Sequence, residues 1–373
     1  MVELIVPILT FQMFKVKHDI KMSDTNLSAV LHSKMDIRME EWPIPEPKAG
    51  EVQIAVHSTG ICGSDVSYYT KGFIGDFVVR EPMVLGHESS GIVSKLGEGV
   101  TNLKVGDRVA MEPGIPCRRC DLCKGGKYNL CPDVIFYATP PVHGTLTRLT
   151  TLAADFCFKL PDHVSMEEGA LLEPLSVAVY ACTRAGVTIG KRVLVAGAGP
   201  IGLLAMMSAK AYGASEVVIT DISQSRLDFA KKMGADHILL VDTKDAQEMA
   251  GRVKDSLGGR MPEITIECSG AESAIQMAIY ATKSGGMVCL VGLGPPEVKV
   301  PIVNAACREV DIRGVFRYCN SYQNALEMIS TGRINVKPLI THRFTLEQTL
   351  DAYNAAMGGS GIKIMINCTR QQA

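Results

Sequence analysis

Cys62, His87 and Glu88 bring a thiol, an imidazole and a carboxylate into one stretch, Gly60 to Gly91, which reads GICGSDVSYYTKGFIGDFVVREPMVLGHESSG. These are the side-chain types that hold Zn²⁺ in catalytic sites, where three protein ligands leave a fourth position for water or substrate. Glycines such as Gly60 and Gly86 let the backbone fold such loops inward around an ion. One Cys and one His at this separation also co-occur by chance, so the pair gains meaning only from the rest of the chain.

A second constellation is more specific on spacing alone. In PCRRCDLCKGGKYNLCP, Cys117, Cys120, Cys123 and Cys131 stand as C-x2-C-x2-C-x7-C. Four thiolates this close can complete a tetrahedron around Zn²⁺ with no position left open, which makes a structural site. Arg118, Arg119, Lys124 and Lys127 would offset its negative charge. An iron–sulfur cluster can use similar spacing and stays an alternative. Disulfides between cysteines three apart would be strained and would need an oxidising compartment.

Further on, KRVLVAGAGPIGLLAMMSAKAYGASEVVITDIS gives an apolar strand, a turn of Gly197, Gly199 and Gly202, a helix of small apolar residues, and a second strand ending at Asp221. One glycine serves the sharp turn, one the backbone approach to a pyrophosphate and one close helix packing, with phosphate at the helix N-terminus. The motif follows a strand, opens a helix and meets an acid about 20 residues on, the context a dinucleotide site requires. Asp221 can accept from both ribose hydroxyls and would repel a 2′-phosphate, so NAD is expected over NADP.

The elements that must position these residues change character along the chain. From Leu27 to the end of GIVSKLGEGVTNLKVGDRVAMEP, short alternating runs broken by Gly and Pro predict antiparallel strands of a compact β-barrel. After Ala153, Glu167 and Glu168 begin a helical run with Ala170, Leu171, Pro174, Leu175 and Ala178 at spacings of three and four. Glu173 sits inside that run, and a buried carboxylate there is costly unless paired or near a metal; a surface position is the other reading. RLDFAKKMGADHILLV, EITIECSG and GGMVCLVGLG then alternate helices with buried strands, as βαβ crossovers demand. Residues 337–373 return to β and should rejoin the first part.

Composition bounds the function classes. The 373 residues suit two domains. With 38 Lys plus Arg against 39 Asp plus Glu, the formal net charge of −1 offers no field for nucleic acid or an anionic membrane. A small, weakly charged substrate is the easier expectation. The 12 cysteines are expected to stay reduced or bind metal, and a cytoplasmic location goes with that. MVELIVPILTFQMF lacks a basic n-region and a cleavage site and is too short to span a bilayer, so residues 1–25 read as an extension, with Met22 as an alternative start.

Taken together, GHESSGIVSKLGEGV, EPGIPCRRCDLCKGGKYNLCP, FYATPP, LPDHVSMEEGALLEPLSV, GAGPIG, TIECSGAE and REVDIRGVFRYCN resemble the zinc-dependent medium-chain dehydrogenases over residues 27 to 370. FYATPP, EEGALLEPLSV and GVFRYCN resemble the polyol branch in particular. The resemblance implies an α/β architecture: a GroES-like β-barrel catalytic domain over residues 26–175, rejoined by 315–373, and a Rossmann doubly wound parallel sheet over 176–314. It implies Cys62, His87 and Glu88 as catalytic zinc ligands, Glu173 near the metal, and Ser64 as a proton-relay hydroxyl. It also implies a polyol-contacting set of Tyr68, Phe136, Thr139, Glu173, Arg317 and Tyr318. NAD contacts would come from Gly197, Gly199, Ile201, Gly202, Asp221, Arg226, Val291, Gly292, Leu293, Val315, Phe316 and Arg317. A polyol/ketose substrate, a homotetramer and a structural zinc on Cys117, Cys120, Cys123 and Cys131 complete the expectation. Rival readings are a secondary-alcohol or threonine-type dehydrogenase of the same fold, and a non-catalytic NAD-binding structural protein. Three positions depart from the family pattern: Ser67 where His is frequent, Val142 with His143 in place of two acids, and Thr145 in place of Asn.

Overall fold

The structure is a computed structural model that describes residues 25–359 and 361–370. The extension expected over residues 1–25 lies outside this range except for Thr25, and Met22 lies outside it as well. Among the described residues no helix is long and apolar enough to cross a membrane.

The first sheet is organised on strand Glu51–Gly60, whose Val52, Ile54 and Val56 alternate into the core. It pairs antiparallel with Glu88–Leu96 along one edge. The other edge takes Leu149–Ala153 beside its first half and Lys363–Asn367 beside its end. Gly60 lies opposite Glu88 in this register, and Met365 opposite Gly60. The end of the chain is therefore stitched next to the strand that leads into Cys62.

The second sheet has six parallel strands. In space they run His237–Leu240, Glu216–Asp221, Arg192–Ala196, Ile264–Glu267, Met287–Leu290, Asp311–Gly314. That order reverses at Arg192–Ala196, the topological switch point where open α/β sheets bind ligands. Side-chain alternation explains the double cover. Val193 and Val195 join the core formed with helices Leu172–Ala185 and Pro200–Ala211, while Leu194 and Ala196 face Ala246–Ser256 and Glu272–Ala281. All four strand residues are fully buried, and each Val or Leu contributes roughly 1.5–3 kcal/mol by leaving water.

Helix Leu172–Ala185 joins the two parts. Leu175, Ala178, Val179 and Cys182 are completely buried in a core shared with Ala110 and Leu160 of the first part and Val193 and Leu203 of the second. It ends at Gly186 in the left-handed conformation. A division drawn between residues 175 and 176 falls inside this helix.

Candidate metal centre and dinucleotide cleft

Cys62 caps helix Gly63–Lys71, and its amide donates to the carboxylate of Asp65 at 3.1 Å. The same carboxylate accepts from the amide of Gly86 at 3.3 Å and lies 3.4 Å from His87 Nδ1. Asp65 is wholly buried, so one side chain locks the loop of the thiol to the loop of the imidazole. Gly86 turns that second loop at φ 90°, open to glycine at no steric cost. Burial alone would favour a neutral His87. The charges of Asp65 and Cys62 outweigh it and hold the imidazole pKa well above its usual value.

Glu88 opens its strand with its carboxylate in the space left by Gly60, where a Cβ would come within 2.3 Å of Glu88 Oε2. Lys363 Nζ donates to both oxygens of Glu88 at 2.7 Å and to the carbonyl of Ile61 at 3.1 Å. Both partners are buried, so each charge depends on the other. One ligand atom from each of Cys62, His87 and Glu88 lies within 4.8 Å of the others.

Glu173, on the first turn of Leu172–Ala185, is buried and not on the surface. Its Oε1 accepts from the hydroxyl of Tyr318 at 2.9 Å. Burial raises its pKa to about 7, with the charge of His87 opposing and that of Glu88 adding to the rise. Tyr318 is pushed well above the phenol range by burial and by Glu173.

The remaining expected contact residues converge beside this cluster. The guanidinium of Arg317 lies 3.6 Å above the ring of Phe136 and donates to Thr139 Oγ1 at 3.1 Å. The Phe136 ring is 5.9 Å from that of His87. Burial raises the pKa of Tyr68, against the pull of Arg317 and Thr139 beside it. Ser64 sits half-buried on the helix turn next to Cys62.

In the second sheet, Gly197 turns at φ 102°, and a Cβ on Gly202 would come within 1.8 Å of the carbonyl of Gly197, so the helix can start this close only with glycine there. Helix Pro200–Ala211 begins without a side-chain cap, leaving its first amides for an anion. Ile201 lies in this first turn. Asp221 ends its strand, accepting from the amides of Ala198 at 2.7 Å and Ser223 at 2.8 Å. A carboxylate has about four acceptor sites, which leaves capacity for two ribose hydroxyls. Arg226 follows on the first turn of Gln224–Lys232. Val291, Gly292 and Leu293 follow strand Met287–Leu290, and Val315, Phe316 and Arg317 follow Asp311–Gly314, at neighbouring carboxyl ends.

Two family models match the chain: "Alcohol dehydrogenase GroES-like domain" over residues 48–162 and "Zinc-binding dehydrogenase" over residues 200–331. Sorbitol dehydrogenase of Gallus gallus is 57% identical over 343 residues, covering 92% of this chain and 96% of its own length. The chain belongs to the zinc-binding dehydrogenase family. Sorbitol dehydrogenase of Homo sapiens is 54% identical with the same coverage. Among solved structures, L-idonate 5-dehydrogenase from Escherichia coli superposes with a TM-score of 0.85 at 30% identity, covering 92% of this dehydrogenase and 98% of that chain.

Zinc and NAD are the cofactors of this dehydrogenase, and its own residues fit both. A half-buried thiol beside a buried imidazole and carboxylate, with ligand atoms within 4.8 Å of one another, forms a set that one divalent cation between them would neutralise. The Sγ atoms of Cys117, Cys120, Cys123 and Cys131 also lie within 4.8 Å of one another. Amides of Cys120 and Cys123 point at the sulfurs of Cys117 and Cys120; backbone hydrogen bonds draw the Cys117 thiol down to about 6, while burial and the neighbouring sulfurs push that of Cys123 up to about 12, so the thiols share protons that one cation would displace. All 12 cysteines are free, against any disulfide in the cysteine lobe.

Sequence reasoning missed Asp65, Lys363 and Glu112. Asp65 was legible, since an acid three residues after a helix cap is a recognisable pattern. Lys363 was not, because it lies 275 residues from Glu88. Glu112 is buried, accepts from Tyr128 Oη at 2.6 Å, and has its pKa raised by burial to about 7. Of the three departures, Thr145 supports the ligand loop, its amide donating to the carbonyl of Gly86 at 2.8 Å and its hydroxyl joining a buried chain with Ser89 and Thr59, while His143 packs edge-on against Trp42. Ser67 donates to the carbonyl of Gly63 on the exposed side of its helix.

Proposed function

We propose that this dehydrogenase oxidises sorbitol- or xylitol-type polyols at C2 to the 2-ketose, reversibly and with NAD. The observation that carries the reading is the meeting of Glu173, Tyr318, Arg317, Phe136 and Thr139 beside the cluster of Cys62, His87 and Glu88, in a chain 57% identical to a sorbitol dehydrogenase.

In this reading Cys62, His87 and Glu88 hold the catalytic metal and the four-cysteine lobe holds the structural one. When bound, the metal supplies Lewis acidity to the substrate hydroxyl and NAD supplies the two-electron acceptor. Asp65 fixes the two ligand loops relative to each other, and Lys363 cancels the charge of Glu88. Glu173 has a pKa near neutrality and can take the substrate proton and give it up again, while the Tyr318 hydroxyl fixes its orientation. Ser64 is a second route for that proton. Arg317 and Thr139 present donors to the remaining polyol hydroxyls, with Tyr68 and Phe136 forming the wall. Asp221 and Arg226 take the adenosine ribose, Gly197, Gly199, Ile201 and Gly202 the pyrophosphate, and Val291 to Leu293 with Val315 to Arg317 the nicotinamide end.

We read the GroES-like domain as residues 26–175 with 315–373, and the dinucleotide domain as 176–314. Strand Asp311–Gly314 is exposed and, among the described residues, pairs on one side only, which supports assembly through that edge into a homotetramer. A cytoplasmic location fits twelve free cysteines.

The test is NADH formation with sorbitol, xylitol, ethanol and threonine, with and without a chelator. Turnover of the polyols that the chelator abolishes supports the reading. Preference for ethanol or threonine would replace the substrate class, and bound NAD without any turnover would favour a structural protein.

A further inference from the structure

We propose that the four-cysteine lobe positions the active-site loop 315–321, so that metal in the lobe tunes affinity for polyol at the other cluster. This rests on the polyol reading for its kinetic arm alone.

The loop between strand Asp311–Gly314 and helix Tyr322–Ser330 carries Arg317 and Tyr318. Two of its residues that are not glycine, Arg317 and Asn320, are left-handed, each at φ 53°. Such conformations persist only where surroundings over-determine them. The surroundings here are the cysteine lobe. Asn129 Nδ2 donates to the carbonyl of Phe316 at 2.8 Å, directly before Arg317. The amide of Asn320 donates to Tyr128 Oη at 2.8 Å, and Asn320 Nδ2 to the carbonyl of Gly126 at 3.0 Å. Cys319 Sγ donates to that same carbonyl at 3.3 Å. All four contacts come from residues 126–129, which lie between the third and fourth cysteines.

On the other side the loop faces the cleft, with Arg317 bonded to Thr139 and Tyr318 to Glu173. Residues 126–129 are held on one side by the core, where Tyr128 donates to Glu112 at 2.6 Å and packs edge-on against Phe156 and Asn129 is buried; on the other side they hang from the cysteine-bearing turn. The lobe's helix, Asp121–Lys124, buries no side chain, so its order must come from whatever the four sulfurs bind. Tyr318 is anchored independently by burial against Tyr322, at 5.6 Å between ring centroids. Loosening the lobe should therefore release Arg317 more than Tyr318, and substrate affinity more than turnover.

The experiment compares the parent enzyme with Asn129→Ala/Asn320→Gly, which removes side-chain links while glycine keeps the left-handed backbone, and with Cys120→Ser. Three quantities are read: metal per chain, hydrogen exchange of residues 315–321 against 62–71, and KM and kcat for sorbitol. The double variant is expected to keep both metals, to exchange faster only at 315–321, and to raise KM about tenfold with kcat within about twofold. Cys120→Ser should lose one metal and reproduce the same pattern. Parent-like exchange and KM in the double variant, or a lobe stripped of metal with 315–321 still protected, would overturn the proposal. If Cys120→Ser does not fold, the parent enzyme depleted of one metal by a mild chelator takes its place in the exchange measurement, read against the same two segments. Hydrogen exchange needs no turnover, so failure of the polyol reading would leave this test standing.

Discussion

The two cysteine clusters of this molecule are built on opposite plans. Cys117, Cys120, Cys123 and Cys131 lie within one short, largely exposed excursion of the chain, with backbone amides as near neighbours. Cys62 comes from one segment and the adjacent His87 and Glu88 from another, and their supporting residues reach from Asp65 to Lys363, 275 residues beyond Glu88. The local cluster needs only its spacing. The dispersed one needs the whole fold, and in return it is largely buried and surrounded by groups that set its charge. In the proposed reading, that contrast separates an ion that holds a fold from one that acts on a substrate.

The sharpest way to break the comparison is to remove one thiol from each cluster. Cys62→Ala should cost about a thousandfold or more in kcat/KM while leaving the melting temperature nearly unchanged, as steady-state kinetics and calorimetry would read. Comparable losses of stability from both clusters would erase the distinction. Next in size is Lys363→Met, which leaves Glu88 as an unpaired buried charge; a cost of about 3–5 kcal/mol is expected in denaturant unfolding. A change below about 1 kcal/mol would mean the pair is not the support assigned to it.

Local spacing can be sharpened at Asp221. Asp221→Ser should raise KM for NAD by about tenfold or more and admit NADP, while unchanged selectivity would count against its role. The smallest effect concerns Glu112, whose folded pKa of about 7 lies above its ordinary value because of burial. Between those two values the folded state binds more protons than the unfolded one, so stability falls as pH rises through that window. Glu112→Gln keeps the acceptor for Tyr128 and should remove that slope, worth ~1–3 kcal/mol between about pH 5 and about pH 8, measured by unfolding at both pH values.

Much of this was legible in the chain itself. Alternation predicted strand Glu51–Gly60, and the glycine turn with Asp221 predicted the switch-point crevice, because those signals are local and repeat at fixed periods. The four cysteines were legible for the same reason. Glu173 was harder, since its helix pattern alone left a surface position open and only the packed structure buries it against Tyr318. Lys363 left no local trace: it reads as an ordinary charge in GIKIMINC until strand pairing sets it beside Glu88. Arg317 and Asn320 gave no sign of their left-handed backbone, which is imposed by contacts with a lobe nearly 200 residues earlier.

Anomalous diffraction at the zinc edge, from crystals of the full-length enzyme grown with NAD, bears most directly on the central claim. Two peaks per chain are predicted: one enclosed by the four sulfurs, and one bound by Cys62, His87 and a carboxylate with an open side toward the nicotinamide. A single peak at the four cysteines, with the Cys62 cluster empty in a turning-over preparation, would contradict it.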